Sequence, residues 1–483
     1  MIHIAKSALD AALRPGVSYA DARLVHSRDR VLSTKNGKVG NMSAGESMGI
    51  GIRVLWNGSW GFAATDDLSK QGIEICAALA VDIARASALA RKVAAELAPE
   101  PPAKAVWESP CAIDPFSIPV ERQIALLLAA DEEMRREKGI TLAEAALEIV
   151  RSRQIFVSSE GAEIDQTRTT TGCGIVCHSF AEGEIQKRSY PNSFGGQYQL
   201  AGWELVEGLR LLDHAPRVAS ECVALHAADQ CPEAVTNLVL DSSQLGLQIH
   251  ESIGHPIELD RVLGSEANYA GMSFLTLDKL GSLQYGSEIV NAVCDGTMAH
   301  GPGLGTLAFD DEGVAAQRVD IIRDGRFTGY MSSRETAGAI GQGRSNGTMR
   351  AAGWHRLPLI RMTNVSVEPG ESTLEQVFDC DGIYMETNRS WSIDDKRYNF
   401  QFGCEIGWEI RGGKRVRMLK NPTYSGITTE FWNSCAAIAN RDHWTLWGVP
   451  NCGKGQPEQV MGTGHGASPS RFSNIKTGGG YEC

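Results

Sequence analysis

Three two-residue turn signals, Asn57-Gly58, Asp324-Gly325 and Gly412-Gly413, sit between short runs rich in apolar and β-branched residues. Such dipeptides accept the positive φ angles of a tight hairpin, so each commits its flanking runs to neighbouring antiparallel strands. Around the first turn the strands are expected over residues 48–56 and 60–64, with another at 22–31. A meander is expected further on, at 142–149, 154–158, 163–170 and 173–180, with Ser159-Glu160-Gly161 as a turn. Helical patterning separates these groups. Residues 69–95 are alanine-rich with spaced charges, and Thr65, Asp66 and Asp67 are candidate caps. Further helices are expected over 121–136 and 203–228. The segment 98–119 holds six prolines and no periodicity, which reads as a surface connection. The fold class is therefore α+β.

A chain of 483 residues exceeds what one ordinary hydrophobic core serves. The best boundary lies near residue 230, where Cys231-Pro232 follows the 203–228 helix and precedes an apolar strand at 235–240. This predicts an N-terminal mixed helix/strand domain over 1–230. A strand-rich domain follows over 231–483, where glycine is frequent and hairpin signals recur.

The formal net charge of −12 opposes attraction to nucleic acid phosphates and to anionic membranes. A peptide partner is easier to accommodate. The first residues, MIHIAKSALDAALRPG, space their apolar positions as an amphipathic helix and lack the continuous apolar core of a signal peptide. No stretch reaches the roughly 20 apolar residues that a transmembrane helix requires. The 12 cysteines follow no tight repeat, so most are expected to be reduced, and the expected location is cytoplasmic.

Chemistry concentrates in DSSQLGLQIHESIGHPIELD. Asp241 or Ser242 can cap a helix on which Leu245, Ile249 and Ile253 recur at helical spacing, placing His250 and Glu251 on that helix and His255 near its end. The two histidines are five apart, and an ideal α-helix splays such a pair by roughly 140°. A helix that loosens at Gly254 and stops before Pro256 can bring His255 back over His250. Two imidazoles suit zinc, and Glu251 beside the first is placed as general base for the water that zinc activates. The bland alternative makes His250 a helix histidine on a carbonyl, Glu251 a solvated charge and His255 part of a helix cap. A third ligand must come from elsewhere. Cys452, in WGVPNCGKGQPEQV, lies between a proline turn and glycines, a setting expected to expose a thiol at a tight bend and able to close a His2Cys site.

The pairing of HESIGH with PNCGKGQP, together with HWTLWG and GIGIRVLWNGSWGFAATDDLS, resembles the TldD/PmbA family over nearly the whole chain. The resemblance implies a TldD-like zinc metallopeptidase subunit. Its metal ligands would be His250, His255 and Cys452, its catalytic glutamate Glu251 and its cofactor Zn2+. It also implies unfolded or leader-type peptides as substrates, and a homodimer or a heterodimer with a PmbA-like partner. Family names mention DNA gyrase modulation, which the acidic charge and lack of a DNA-reading motif make an indirect effect. The alternative from another class is a non-catalytic binding or scaffold subunit.

Other motifs carry less. GVPNCGKG at 448–455 misses a phosphate-binding loop, since Gly455 stands where Ser or Thr should bind magnesium and Pro450 interrupts it. GQGRSNG at 341–347 has the wrong glycine spacing for a dinucleotide site and reads as a loop beside the active site. On a strand, Cys173 and Cys177 share a face that His178 does not, which argues against a metal cluster. Asn388-Arg389-Ser390 is an accidental sequon match, and His465, a weaker candidate for substrate or transition-state contact, reads first as a satisfied loop histidine. Peptide backbone can bind by adding to a sheet edge, with no edge strand identified.

Overall fold

The computed structural model describes residues 1–479. A short helix, α1 (Ile2–Ala12), opens the chain, and three strands follow as a meander: β1 (Val17–Lys35), β2 (Lys38–Trp56) and β3 (Ser59–Thr65). Asn57 (φ 45°) and Gly58 (φ 70°) form the expected turn between the last two. Helix α2 (Lys70–Ala90) is capped by Ser69, whose hydroxyl accepts from the Gly72 N–H, so the cap lies beyond the expected Thr65, Asp66 and Asp67. The proline-rich segment is not all connection. It contains β4 (Lys104–Glu108), which runs parallel to a later strand; only five residues long and bounded by prolines, it has no periodicity to show.

Helix α3 (Val120–Arg135) leads into β5 (Ile140–Ser158) and β6 (Glu163–Ala181), each one unbroken strand where the sequence suggested two. The polar run at 151–153 only looked like a gap. Its backbone stays in the ladder, with Arg151 opposite Thr169, and Arg153 pairs with Asp165 at 2.6 Å. After β7 (Glu184–Tyr190) and β8 (Gln197–Gln199), the expected helix over 203–228 is two, α4 (Trp203–Leu209) and α5 (Leu211–Ala224), broken where Arg210 takes φ 48°. These strands form one sheet in the order β3-β2-β1-β5-β6-β4, with β7 and β8 also on β6. One face is covered by all five helices, with Leu147 and Ile149 of β5 among the residues packed beneath α3 and α5. The intervening residues of β5, such as Glu148 and Val150, face the other way and stay half-buried.

The rest of the chain is strand-rich, as expected. In chain order it has β9 (Asp229–Gln230), β10 (Ala234–Leu240), helix α6 (Ser242–Ile249), β11 (Ala292–Asp295), β12 (Arg318–Arg323) and β13 (Arg326–Phe327). Then come β14 (Met349–Arg350), β15 (Leu359–Ile360), β16 (Asn364–Val367), β17 (Gly382–Ile393), β18 (Asn399–Arg411), β19 (Lys414–Lys420) and β20 (Pro422–Ile427). β21 (Cys435–Ile438), β22 (Thr445–Lys454), β23 (Gln459–Ala467) and β24 (Ser470–Gly479) complete it. One sheet runs β17-β10-β24-β20-β18-β19-β9, and because β17 also pairs with β18, five of its strands close on themselves. A second sheet runs β13-β12-β11-β16-β23-β22. Both hairpin turns expected here are present, joining β12 to β13 and β18 to β19.

Helix α6 touches β17 of the first of these sheets and β16, β22 and β23 of the second. Every one of its residues is buried, as a helix between two sheets requires. Leu245, Ile249 and Ile253 are 0% exposed, and each contributes about 1.5–3 kcal/mol by leaving water. The fold is α+β, and the helix carrying the histidines is fixed at its centre. Among the described residues no helix is long and apolar enough to cross a membrane.

Candidate metal centre

Asp241 caps α6, its carboxylate accepting from the Ser243 and Gln244 N–H groups; Ser242, the other candidate, does not. The α-helix ends at Ile249, and His250–Gly254 form a π turn closed by a bond from the His255 N–H to the His250 carbonyl. That i→i+5 bond places His255 over His250, and the ring centroids stand 4.8 Å apart. Pro256 helps to cause it. In a continued α-helix residue 256 would donate to the Ser252 carbonyl, but proline has no N–H to give. The Tyr285 hydroxyl donates to that carbonyl instead. Gly254 makes room for Met362 at this point, because a Cβ there would meet the Met362 thioether and force that side chain to shift. The expected loosening at Gly254 thus begins four residues earlier. Nor does the helix stop before Pro256, since His255–Ile257 continue as a 3-10 turn.

Cys452 reaches the histidines from β22. It sits in a strand opposite Met461 and is 3% exposed, so the expectation of an exposed thiol at a bend is corrected. The glycines and Pro450 instead accompany a register shift between Val449 and Cys452, an irregularity that re-aims a side chain. Cys452 Sγ lies 3.8 Å from His255 Nε2. The ligand atoms of His250, His255 and Cys452 all fall within 4.8 Å of one another, the one such grouping of metal-ligating side chains among the described residues. Zinc with nitrogen and sulfur bonds of about 2.0–2.3 Å sets tetrahedral donors about 3.5 Å apart, so closing the set takes about 1 Å of movement. Two imidazoles and a thiol are a donor set whose chemistry fits zinc.

The partners around the donors select which atoms remain available. His255 Nδ1 lies 3.0 Å from Glu258 Oε2, and a carboxylate accepts, so His255 carries its proton on Nδ1 and presents a bare Nε2. Glu258 is fully buried among Lys454, Arg261 and Glu266, with Lys454 Nζ 3.3 Å from its Oε1 and 2.7 Å from Asp260. Burial lowers the Lys454 pKa, but Asp260, Glu258 and Glu266 more than reverse this, so the ammonium stays charged. His250 Nδ1 lies 2.8 Å from His465 Nε2, and His465 Nδ1 lies 3.0 Å from the Val365 carbonyl. A carbonyl can only accept. His465 therefore holds its proton on Nδ1, its Nε2 accepts from His250, and His250 also presents a bare Nε2. Thr463 Oγ1, 3.0 Å from His465 Nε2, adds a second partner there. His465 is satisfied at both ring nitrogens, as expected, but it is a fully buried strand residue tied to His250 and not part of a loop.

Electrostatics agree with that reading. Burial depresses the pKa of His250, and of His255 more strongly, which favours neutral rings. Burial pushes the Cys452 thiol up, but the direction is reversed by positive charge that includes the Arg361 guanidinium, leaving Cys452 below the ordinary thiol range. Other buried cysteines go the opposite way, with Cys173 and Cys435 each pushed up to about 12 by burial. Cys177 lies under α5 beside Cys222, and neither Cys173 nor Cys177 belongs to a three-residue grouping of metal ligands among the described residues. Glu251 is 6% exposed, and its Oε2 lies 2.6 Å from Arg397 Nη1. Arg397 escapes sequence reading because it sits in the turn between β17 and β18, 146 residues away, with no motif around it. The GKG run near Cys452 lies mostly within β22 and is no phosphate loop. The 341–347 loop pairs through Arg344 with Glu100.

Family models match the chain in three blocks. The PmbA/TldA metallopeptidase domain 1 covers residues 20–84, the central domain 113–229 and the C-terminal domain 233–479. The chain is 27% identical over 450 residues to a Methanocaldococcus jannaschii protein named as a metalloprotease, covering 93% of this chain and 95% of that one. It is 28% identical over 245 residues to a Saccharolobus solfataricus protein named as a zinc metalloprotease TldD homolog, half of each chain. In fold it matches a Thermotoga maritima structure named for a conjectured modulation of a DNA gyrase, with TM-score 0.78, 16% identity and coverage of 98% and 99%. It also matches TldE from Thermococcus kodakarensis, with TM-score 0.73, 14% identity and 99% of each chain. By these matches along its length, the chain belongs to the PmbA/TldD metallopeptidase family.

Proposed function

We propose that the protein is a zinc-dependent peptidase acting on unfolded or leader-type peptides, with His250, His255 and Cys452 as ligands and Glu251 as general base. The observation that carries this reading is the convergence of two bare imidazole nitrogens and a thiol of lowered pKa beside a buried glutamate. Zinc held by that set would supply polarisation of a peptide carbonyl and a water whose pKa is lowered to about 7. Glu251 takes the proton of the attacking water and returns it to the leaving amine. Arg397 occupies Oε2, which leaves Oε1 for that proton and fixes the direction from which it arrives.

The reading extends to a cytoplasmic protein that divides near residue 230 and works as a homodimer or with a PmbA-like subunit. The eleven described cysteines form no disulfide, which supports a reducing compartment. β1–β8 use residues no later than 199, while the strands around the metal donors begin at 229, which supports the boundary.

A non-catalytic scaffold subunit is the second reading, favoured by the Glu251–Arg397 ion pair at 2.6 Å, which gives the carboxylate a structural partner. Elemental analysis of the wild type beside Cys452→Ala and Glu251→Gln separates the two. The peptidase reading expects about one zinc per wild-type chain, a marked loss in Cys452→Ala, and zinc retained but hydrolysis of an unfolded reporter lost in Glu251→Gln. A wild type that holds no zinc after repletion removes the peptidase reading and leaves the scaffold.

A further inference from the structure

The face of the first sheet that the helices leave uncovered looks across a cleft of about 460 Å³ toward residues 350–355 and the β22–β23 hairpin. That volume is in the range of roughly 300–1,000 Å³ for ligand sites. Apolar and aromatic walls come from Val150, Tyr198, Trp354 and Met461, and two guanidinium groups, Arg168 and Arg350, face the same space. Met461 stands opposite Cys452 in the hairpin, so the cleft borders the metal centre.

Neither the buried Arg350 nor the half-buried Arg168 has an anion of its own. Arg350 is 4% exposed and bonded only to carbonyls: Nη1 donates to Met362 at 2.6 Å and Gly462 at 3.0 Å, and Nη2 to Leu304 at 3.2 Å. Its Nε has no partner. The Arg168 side chain makes no hydrogen bond or salt bridge among the described residues. The carboxylate that acts on both is Asp311, and it is already engaged, accepting from the Ala351 N–H at 2.6 Å, Gln154 at 2.6 Å and Arg23 at 3.4 Å. Burial lowers the Arg168 pKa. Burial, then Arg168 and Arg361, lower that of Arg350 to about 9, the mark of positive charge without enough negative charge nearby. A carboxylate entering the cleft meets a planar guanidinium able to bind it through two parallel hydrogen bonds.

We propose that this cleft is a carboxylate-binding subsite, in which Arg168, backed by Arg350, takes an acidic group of the peptide and sets its position relative to Glu251. The assignment rests on the peptidase reading for its substrate, but carboxylate recognition is measurable without turnover. The group is either the C-terminal carboxylate or an Asp or Glu side chain, and the two sources separate in one experiment. Fluorescence anisotropy on the full-length Glu251→Gln chain would use one labelled, otherwise neutral decapeptide in three forms: free C-terminus, C-terminal amide, and amide with one internal Glu. At least one carboxylate-bearing form is expected to bind about tenfold or more tighter than the plain amide, and which form does so names the source. Arg168→Gln is expected to abolish that preference, whereas Arg168→Lys, which keeps the charge, retains part of it. Equal binding of all three forms, no binding of any, or a preference that survives Arg168→Gln overturns the subsite. A wild type that binds with this preference yet leaves the peptides intact overturns the peptidase reading and leaves the subsite standing.

Discussion

His465 shows how much a single hydrogen bond can decide. The Val365 carbonyl sets its tautomer, it sets that of His250, and His250 thereby offers Nε2 to a metal. Replacing His465 by Leu removes the acceptor and frees His250 to carry its proton on either nitrogen. Zinc affinity, read by chelator competition, is expected to fall about 10–100-fold. His465→Gln keeps an acceptor oxygen and is expected to recover most of the loss. Equal affinity in the Leu variant would show that the contact does nothing for His250. Glu258 acts on His255 in the same way, with Lys454 and Arg261 keeping its carboxylate from being an unpaired buried charge.

At the scale of the element, the π turn converts a five-residue spacing into a shared face. Gly254 and Pro256 both serve it, one by allowing Met362 to pack against the turn and the other by withholding a donor. Gly254→Ala forces a methyl group into the Met362 thioether and is expected to cost about 1–3 kcal/mol. Because the clash falls between the two histidines, zinc affinity is expected to drop with stability. Adding Met362→Ala should restore part of the zinc affinity while leaving a cavity, so metal binding and thermal stability part company. If the double variant binds zinc no better than Gly254→Ala, steric pressure from Met362 is not what shapes the turn. Arg210, at φ 48°, does the converse between α4 and α5, ending a helix where the side-chain pattern runs on.

Across the whole molecule, buried ion pairs tie the first sheet to the strand-rich part. Arg188 of β7 is 2% exposed and lies 2.9 Å from Glu221, 3.2 Å from Glu386 and 3.3 Å from Glu405. Glu386 and Glu405 belong to β17 and β18, so one guanidinium joins α5 of the first layer to the closed strands. Arg53 of β2 does likewise between Asp21 at 2.7 Å and Glu312 at 3.1 Å. Arg188→Met would leave several carboxylates facing one another out of water, an expected loss of about 3–5 kcal/mol. Calorimetry is expected to show a lower melting temperature, with the transition split as the two parts uncouple. An unchanged melting curve would mean that the carboxylates find other partners at no cost.

Much of this architecture was legible in the residues because it depends on neighbours in the chain. Hairpin dipeptides, capping side chains and apolar periodicity act over a few residues, so the α+β class, the helix of His250 and the turns at Asn57-Gly58 and Gly412-Gly413 could be read directly. The continuity of β5 and β6 and the existence of β4 could not, since a ladder is completed by a partner strand whose position the local sequence does not encode. The same division runs through the site. HESIGH announces two imidazoles and a carboxylate, but the distances from Cys452 to His255, from Arg397 to Glu251 and from His465 to His250 span 146 to 215 residues of chain. Only burial of α6 between two sheets brings those groups together, because the apolar surface that drives it into the centre carries the polar groups along with it.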